Sequence, residues 1–361
     1  MSTPTSVADL GEFGLIARAA RVFAAPLTPG FAPGLKIGIG DDAAVWAPTP
    51  TTWSVITADA LVEGVHFRFS TTDWYDLGWK SLAVNLSDVA AMGASPRYAV
   101  LCLGLPAAVS LADVDAFCRG IADVAARYDT ALVGGDTVAA PVATISVTVV
   151  GETLSTRPGG PPPLLRRDRG RVGDAVAVTG WLGASAGGLR LLESGARTGP
   201  GADLSADAPD TDVSDAATAL LQAHRRPIPR VAEAALLLQQ GVCCAQDLSD
   251  GLLGDAQRIA EASDVGVVLE AARVPVSPAL AELFPDDALD LALGGGEDYE
   301  LLCAAPPDVL ARAGAALAAA GGPPLTIVGR VVPTPPSGPR VQVVDADGRP
   351  RALRGGYTHW T

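Results

Sequence analysis

Apolar positions along this chain switch between helical spacing and strand-like alternation, and each switch marks an element. Residues 10–23 carry a capped helical pattern. Residues 76–92 repeat it through Leu77, Leu82, Leu86, Val89 and Ala90, with Gly93 as a stop. Asn85 and Asp88 stand three apart on that helix, which puts them on one face. Residues 111–128 predict another helix, while 36–46, 53–59, 99–105, 131–133 and 144–151 read as short strands. The first half of the chain is therefore a mixture of strands and helices.

Residues 155–173 interrupt both periodicities, because Gly159-Gly160-Pro161-Pro162-Pro163 sustains neither a helix nor a central strand. Beyond this break, 174–179 reads as a strand and 244–250 runs into a helical pattern over 251–262. Residues 291–302 and 326–332 supply further strand or turn material, and 199–215 is a small, polar, acidic surface loop. No fixed-period repeat is present. With 361 residues the chain exceeds one ordinary core, so two domains are expected, spanning 1–155 and 156–361.

Composition narrows the function. Hydrophobic residues make up 48% and charged residues 18%, which suits a globular chain that folds unaided. The net charge is −14, from 40 acids against 26 bases, so the overall field repels nucleic acids and anionic membranes. The same field opposes ATP unless bound cations reverse it locally. Lys36 and Lys80 are the only lysines, and neither sits in a phosphate-binding G-x-x-x-x-G-K-[ST] loop. Five cysteines lack paired metal or redox spacing and read as small buried hydrophobes. The first residues carry Asp9 and Glu12 rather than a basic leader, and no apolar run of about 18 residues suggests a membrane span, so a cytoplasmic location is expected.

Candidate chemistry lies in short acidic words beside glycine or at predicted element ends. They are Gly40-Asp41-Asp42, Thr57-Ala58-Asp59, Asn85-Leu86-Ser87-Asp88, Gly134-Gly135-Asp136-Thr137, Asp247-Leu248-Ser249-Asp250-Gly251 and Gly294-Gly295-Gly296-Glu297-Asp298-Tyr299-Glu300. Carboxylates without neighbouring His or Cys are hard oxygen ligands suited to Mg²⁺. Magnesium takes one or two protein carboxylates while bridging phosphates, so several such acids point to phosphoryl transfer. Each word alone has a plainer reading: Gly40-Asp41-Asp42 as a turn or cap, Asp250 as the cap of the following helix, Gly294 to Gly296 as a tight turn. His66 lies between apolar neighbours and reads by composition as structural, while His224 and His359 have no metal spacing. Arg166 and Arg167 are either solvated charges or phosphate contacts, and Tyr357 and Trp360 either packing or a stacking lid.

Taken in order, with Gly11-Glu12-Phe13-Gly14-Leu15-Ile16-Ala17-Arg18 at the start, these words resemble the thiamine-monophosphate kinases of the aminoimidazole ribonucleotide synthetase-like superfamily. The resemblance covers nearly the whole chain. It implies two mixed α/β domains, an N-terminal ATP- and Mg-binding domain whose sheet pairs into a homodimer barrel, and a C-terminal domain that closes the site. It implies an ATP-dependent phosphotransferase acting on a phosphate group, with several Mg²⁺ ions and no protein nucleophile. Carried over by position, Asp42, Thr57, Asp59, Asp88, Asp136, Asp247 and Asp250 become metal ligands, and Ala58 one through its backbone carbonyl. Gly135, Asp136, Arg167 and Ser249 become ATP contacts, and His66, Glu297 and Tyr357 line the acceptor site. Two departures stand out: Ala58 where a threonine is usual, and no acid after Tyr357. Rival readings are another ATP-using enzyme of the superfamily, a non-catalytic nucleotide-binding module, or a structural protein with acidic turns. Met1 to Lys36 contains no Cys and the last Cys is Cys303, which weakens the selenophosphate synthetase and carbamoyl dehydratase alternatives.

Overall fold

The helical stripe read from residues 76–92 is buried: Leu77, Leu82, Leu86, Val89 and Ala90 all pack inside, as apolar residues at helical spacing against a sheet should. The computed structural model describes residues 6–24, 34–37, 39, 45–154, 161–195 and 214–351. Asp42, Tyr357 and all of the acidic loop up to residue 213 lie outside those residues. The described chain divides into two units, one of residues 1–89 and 94–162, the other of residues 90–93 and 163–361.

The first unit runs α1 (Val7–Ala24), β1 (Leu35–Ile37), β2 (Val45–Trp46), β3 (Ser54–Val62), α2 (Trp74–Ala91), β4 (Ala94–Leu105), α3 (Leu111–Arg127), β5 (Ala131–Ala139) and β6 (Thr144–Thr153). β1 and β2 form a small antiparallel pair. The others form one sheet in the order β3-β6-β4-β5, in which only β4 and β5 are parallel. Leu101, Leu103, Ile145, Val147 and Val149 on one sheet face share a core with Leu82 and Leu86 of α2 and Phe117 and Ile121 of α3. Pro96, which has no N–H to give, sits where the β4–β6 register shifts. α2 and α3 cross with no room for a side chain: a Cβ on Gly78 would lie 2.1 Å from the Phe117 carbonyl oxygen, and one on Gly120 2.0 Å from that of Tyr75.

Two strands are longer than their patterns predict. Asp59 ends the expected strand, yet β3 continues to Val62, paired residue for residue with β6. β5 passes through Gly134-Gly135-Asp136 instead of stopping before it. The glycines serve close approach rather than a turn, since a Cβ on Gly135 would lie 1.9 Å from the Leu101 carbonyl oxygen. Thr57, Asp59 and Asp136 therefore stand within edge strands, where one long side of the backbone is open.

The second unit runs β7 (Ala175–Thr179), α4 (Ala184–Glu193), α5 (Asp215–Arg225), α6 (Val231–Gln239), β8 (Cys244–Asp247), α7 (Leu252–Ala262), β9 (Gly266–Glu270), α8 (Pro278–Leu283), α9 (Ala288–Gly294), β10 (Leu301–Ala305), α10 (Pro307–Ala319), β11 (Leu325–Val332) and β12 (Val341–Val344). Its six-stranded sheet has the order β12-β9-β11-β7-β10-β8, antiparallel except for β12 with β9. Every residue of β7, β8 and β10 is buried; β7 and β10 are nearly continuous apolar runs, whereas β8 also buries Gln246 and Asp247. Residues 291–294, expected as strand or turn, instead end helix α9, which buries Ala288, Ala292 and Leu293 along one stripe. Of the five cysteines, Cys118, Cys244 and Cys303 are buried as expected, whereas Cys102 and Cys243 are exposed.

Candidate active site

The first unit gathers part of the predicted acid set along β3 and α2. Asn85 and Asp88 do share a helix face, and that face meets β3. The Thr57 hydroxyl donates to Asp88 Oδ2 at 2.6 Å, and Asn85 Oδ1 accepts the Asp59 N–H at 2.9 Å. Asn85 is fully buried and donates its own amide to the Ser81 carbonyl at 3.0 Å, so it ties strand to helix. Donating its hydrogen leaves the Thr57 oxygen with a lone pair that can bind a cation. His66 follows β3 in a turn, where its Nδ1 accepts the Val62 N–H at 3.1 Å, which puts the hydrogen of a neutral ring on Nε2. Gly135 and Asp136 are exposed on β5, the opposite edge. Asp59 lies on one transverse row with Val147, Leu101 and Gly135. Three strand spacings separate β3 from β5, on the order of 14 Å.

The second unit gathers the rest. Asp247 ends β8 and is 3% exposed, while Ser249 and Asp250 follow in the turn before α7. Gly251 is the N-cap of α7, so the Asp250 side chain does not cap that helix. It pairs with Arg258, about two turns further on. The backbone N–H of Asp250 donates instead to buried Asp255 at 3.0 Å, and Gln246 donates to the other Asp255 oxygen at 2.7 Å. Burial, together with nearby Asp247 and Asp250, pushes the Asp255 carboxyl up to about 7. The turn is stitched to residues 297–300: Glu297 N–H donates to the Ser249 carbonyl at 2.8 Å, Tyr299 N–H to Leu248 at 2.9 Å, and Leu248 N–H to Glu300 at 2.8 Å. Arg167 is exposed in a 3-10 turn, and its carbonyl accepts the Ser263 hydroxyl at 2.6 Å.

Two residues of the glycine-rich word act as anchors that sequence reasoning missed. Asp298 accepts the N–H groups of Gly183 and Ser185 at the start of α4, at 2.7 and 3.3 Å. Glu300, 4% exposed, accepts the Thr179 hydroxyl at 2.6 Å and a two-pronged contact from Arg230. Three acids within four residues were the available signal; the partners are distant in sequence and left none. Burial is the main cause that pushes Asp298 up to about 7, against an ordinary 3.8. The folded state thus holds this proton more tightly than the unfolded chain, and the group's contribution to stability is full below pH 4 and lost as pH rises through 7. Melting curves of the wild type should therefore fall between pH 5 and 8 more steeply than those of Asp298→Asn; equal slopes would count against the raised carboxyl.

Among the described residues no group of three or more His, Cys, Asp or Glu side chains is placed to hold a metal ion. The oxygen donors present still suit Mg²⁺, because that ion needs only one or two protein carboxylates and completes its shell with water and phosphate oxygens. No helix among the described residues is long and apolar enough to cross a membrane.

The chain is similar to known proteins over most of its length. Residues 40–153 match the AIR synthase related protein N-terminal domain, and residues 171–342 the corresponding C-terminal domain. Thiamine-monophosphate kinase of Escherichia coli (strain K12) is 38% identical over 325 residues, covering 89% of this chain and 90% of that protein. The crystal structure of thiamine-monophosphate kinase from Stenotrophomonas maltophilia K279a is 39% identical with a TM-score of 0.77, over 94% of this chain and 97% of that one. A further solved structure, AaThiL complexed with AMPPCP and TMP, is 29% identical with a TM-score of 0.71 over 98% of both chains.

Proposed function

Because the chain belongs to the thiamine-monophosphate kinase family and carries both AIR synthase related domains, we propose that it moves the γ-phosphoryl group of ATP onto thiamine monophosphate, giving thiamine diphosphate and ADP. The observation that carries this reading is the likeness, across nearly the entire chain, to a kinase solved with an ATP analogue and TMP. The step is a direct in-line attack: a phosphate oxygen of the acceptor bonds to the γ-phosphorus as the bond to the β-bridging oxygen breaks. That nucleophile is already ionised near neutral pH, so no side chain need act as a strong base.

In this reading Thr57, the Ala58 carbonyl, Asp59, Asp88, Asp136, Asp247 and Asp250 hold Mg²⁺, together with Asp42, and Gly135, Asp136, Arg167 and Ser249 contact ATP. Bound Mg²⁺ supplies neutralisation of the polyphosphate charge, which a chain of net charge −14 cannot otherwise offer. The residues' own part is to keep the oxygens in place: Asn85 holds the β3 backbone at Asp59, and Asp255 holds the turn that carries Asp250. His66, Glu297 and Tyr357 take the acceptor, where a carboxylate suits a cationic thiazolium ring. Purified protein with Mg-ATP and thiamine monophosphate should yield thiamine diphosphate and leave unphosphorylated thiamine untouched. No diphosphate product would sink the proposal.

The reading includes a homodimer joined through the first unit's sheet. The supporting observation is a sheet face on which Ile56 is 71% and Val138 53% exposed, on strands that also carry Thr57, Asp59 and Asp136. Closing two such sheets into a barrel joins edge strands, and β3 and β5 are the edges. Ile56→Asp should convert the dimer into monomer in light-scattering chromatography and lower turnover with it. A monomeric wild type would overturn this part.

A further inference from the structure

His224 was set aside at the level of sequence because no second ligand accompanies it, yet the fold gives it a specific neighbour. It is buried on α5, with its Nδ1 3.3 Å from Glu297 Oε2 and 3.1 Å from the Ser185 hydroxyl. A carboxylate can only accept, so when Glu297 is ionised Nδ1 carries the hydrogen. Ser185 is itself fully buried in the first turn of α4, and its N–H donates to Asp298, the residue after Glu297. Two independent ties therefore converge on one position.

The backbone there supports the same conclusion. Glu297 and Tyr299 have φ of +66° and +50°, left-handed values that cost non-glycine residues on the order of 1 kcal/mol each. Between and after them, Asp298 and Glu300 are held by the α4 N–H groups and by Arg230. Such conformations persist where the surroundings over-determine them, which makes this segment a fixed mount for the Glu297 carboxylate.

We propose that His224, backed by Ser185, is a positioning residue that aims the Glu297 carboxylate at the cationic ring of the acceptor and so sets acceptor affinity. This rests on the reading of Glu297 as an acceptor contact. The test compares His224→Leu, His224→Ala, His224→Asn and Glu297→Gln with the wild type, using Mg-ATP and thiamine monophosphate. Removing the donor, as Leu or Ala, should raise KM for thiamine monophosphate about tenfold and leave KM for ATP unchanged. Asn, whose amide nitrogen falls near the Nδ1 position, should recover most of the loss. The double variant His224→Leu/Glu297→Gln should be no worse than Glu297→Gln alone, because both remove one interaction. Additive losses, or equal changes in both KM values, would overturn the proposal. If Glu297→Gln leaves acceptor KM unchanged, it is the acceptor-site reading that fails. Should the Leu and Ala variants not fold, the wild type still decides: the His224 ring nitrogen resonances must shift on addition of thiamine monophosphate, and unshifted resonances overturn the proposal.

Discussion

Asp250→Asn is expected to lower turnover by about 10²- to 10³-fold, the usual cost of losing one fixed group at developing transition-state charge. The fold should survive the change. The side chain pairs with Arg258, which is 46% exposed, and such pairs contribute about 0–1 kcal/mol. Its backbone N–H, which ties the turn to Asp255, is untouched by the substitution. Mg-ATP should raise the melting temperature of the wild type and do so far less for the variant, since stabilisation by a ligand follows its affinity. Steady-state turnover and melting curves with and without Mg-ATP would check both halves. Near-normal turnover would remove Asp250 from the metal set and weaken the oxygen-ligand account of the whole second cluster.

The largest stability effect should come from Gly120→Ala in the first unit. The added methyl would sit 2.0 Å from the Tyr75 carbonyl oxygen and 2.8 Å from the Trp79 nitrogen, both backbone atoms of α2 that no rotamer change can move away. The helices must separate, and the core beneath them, including Phe117 and Leu82, loosens. Overpacking of this kind costs about 3 kcal/mol. For a unit of this size that corresponds to a fall in melting temperature of roughly 6–12 °C. The drop should be confined to the transition of the first unit, and calorimetry can separate it from the second. Gly14→Ala offers a contrast, because the neighbouring atoms there belong to the flexible Leu10 side chain. An alanine at residue 120 that melts with the wild type would mean that α2 and α3 do not cross at these glycines.

Much of the fold was legible because the signal was local. Helical spacing marked α2, and its five apolar positions are buried. Alternation marked β6, whose residues alternate between buried and half-buried along its length. The pairing of Asn85 with Asp88 on one face followed from a spacing of three. Elsewhere local signals misled. Gly134-Gly135 looks like a turn because glycine usually supplies one, but here it lets β5 approach β4. Residues 291–294 are apolar enough for a strand, but they close helix α9, whose Ala288, Ala292 and Leu293 are buried.

The chemistry divides in the same way. Residue type alone determined that oxygen donors dominate, that lysine is nearly absent, and that any phosphate chemistry must lean on cations; the ordered motifs added the family. Tertiary structure alone decided which acids stay accessible and which are buried and tied to neighbouring elements. Asp250 and Asp255 look alike in sequence, yet one faces Arg258 and the other is buried beneath the turn and holds it. Glu297, Asp298 and Glu300 are near neighbours, but the last two are tied to α4 and to Arg230 and the first is turned toward His224. The reason is physical: a side chain's ionisation and role depend on burial and on its donors, which for Asp298 and Glu300 arrive from elements 70 to 121 residues away.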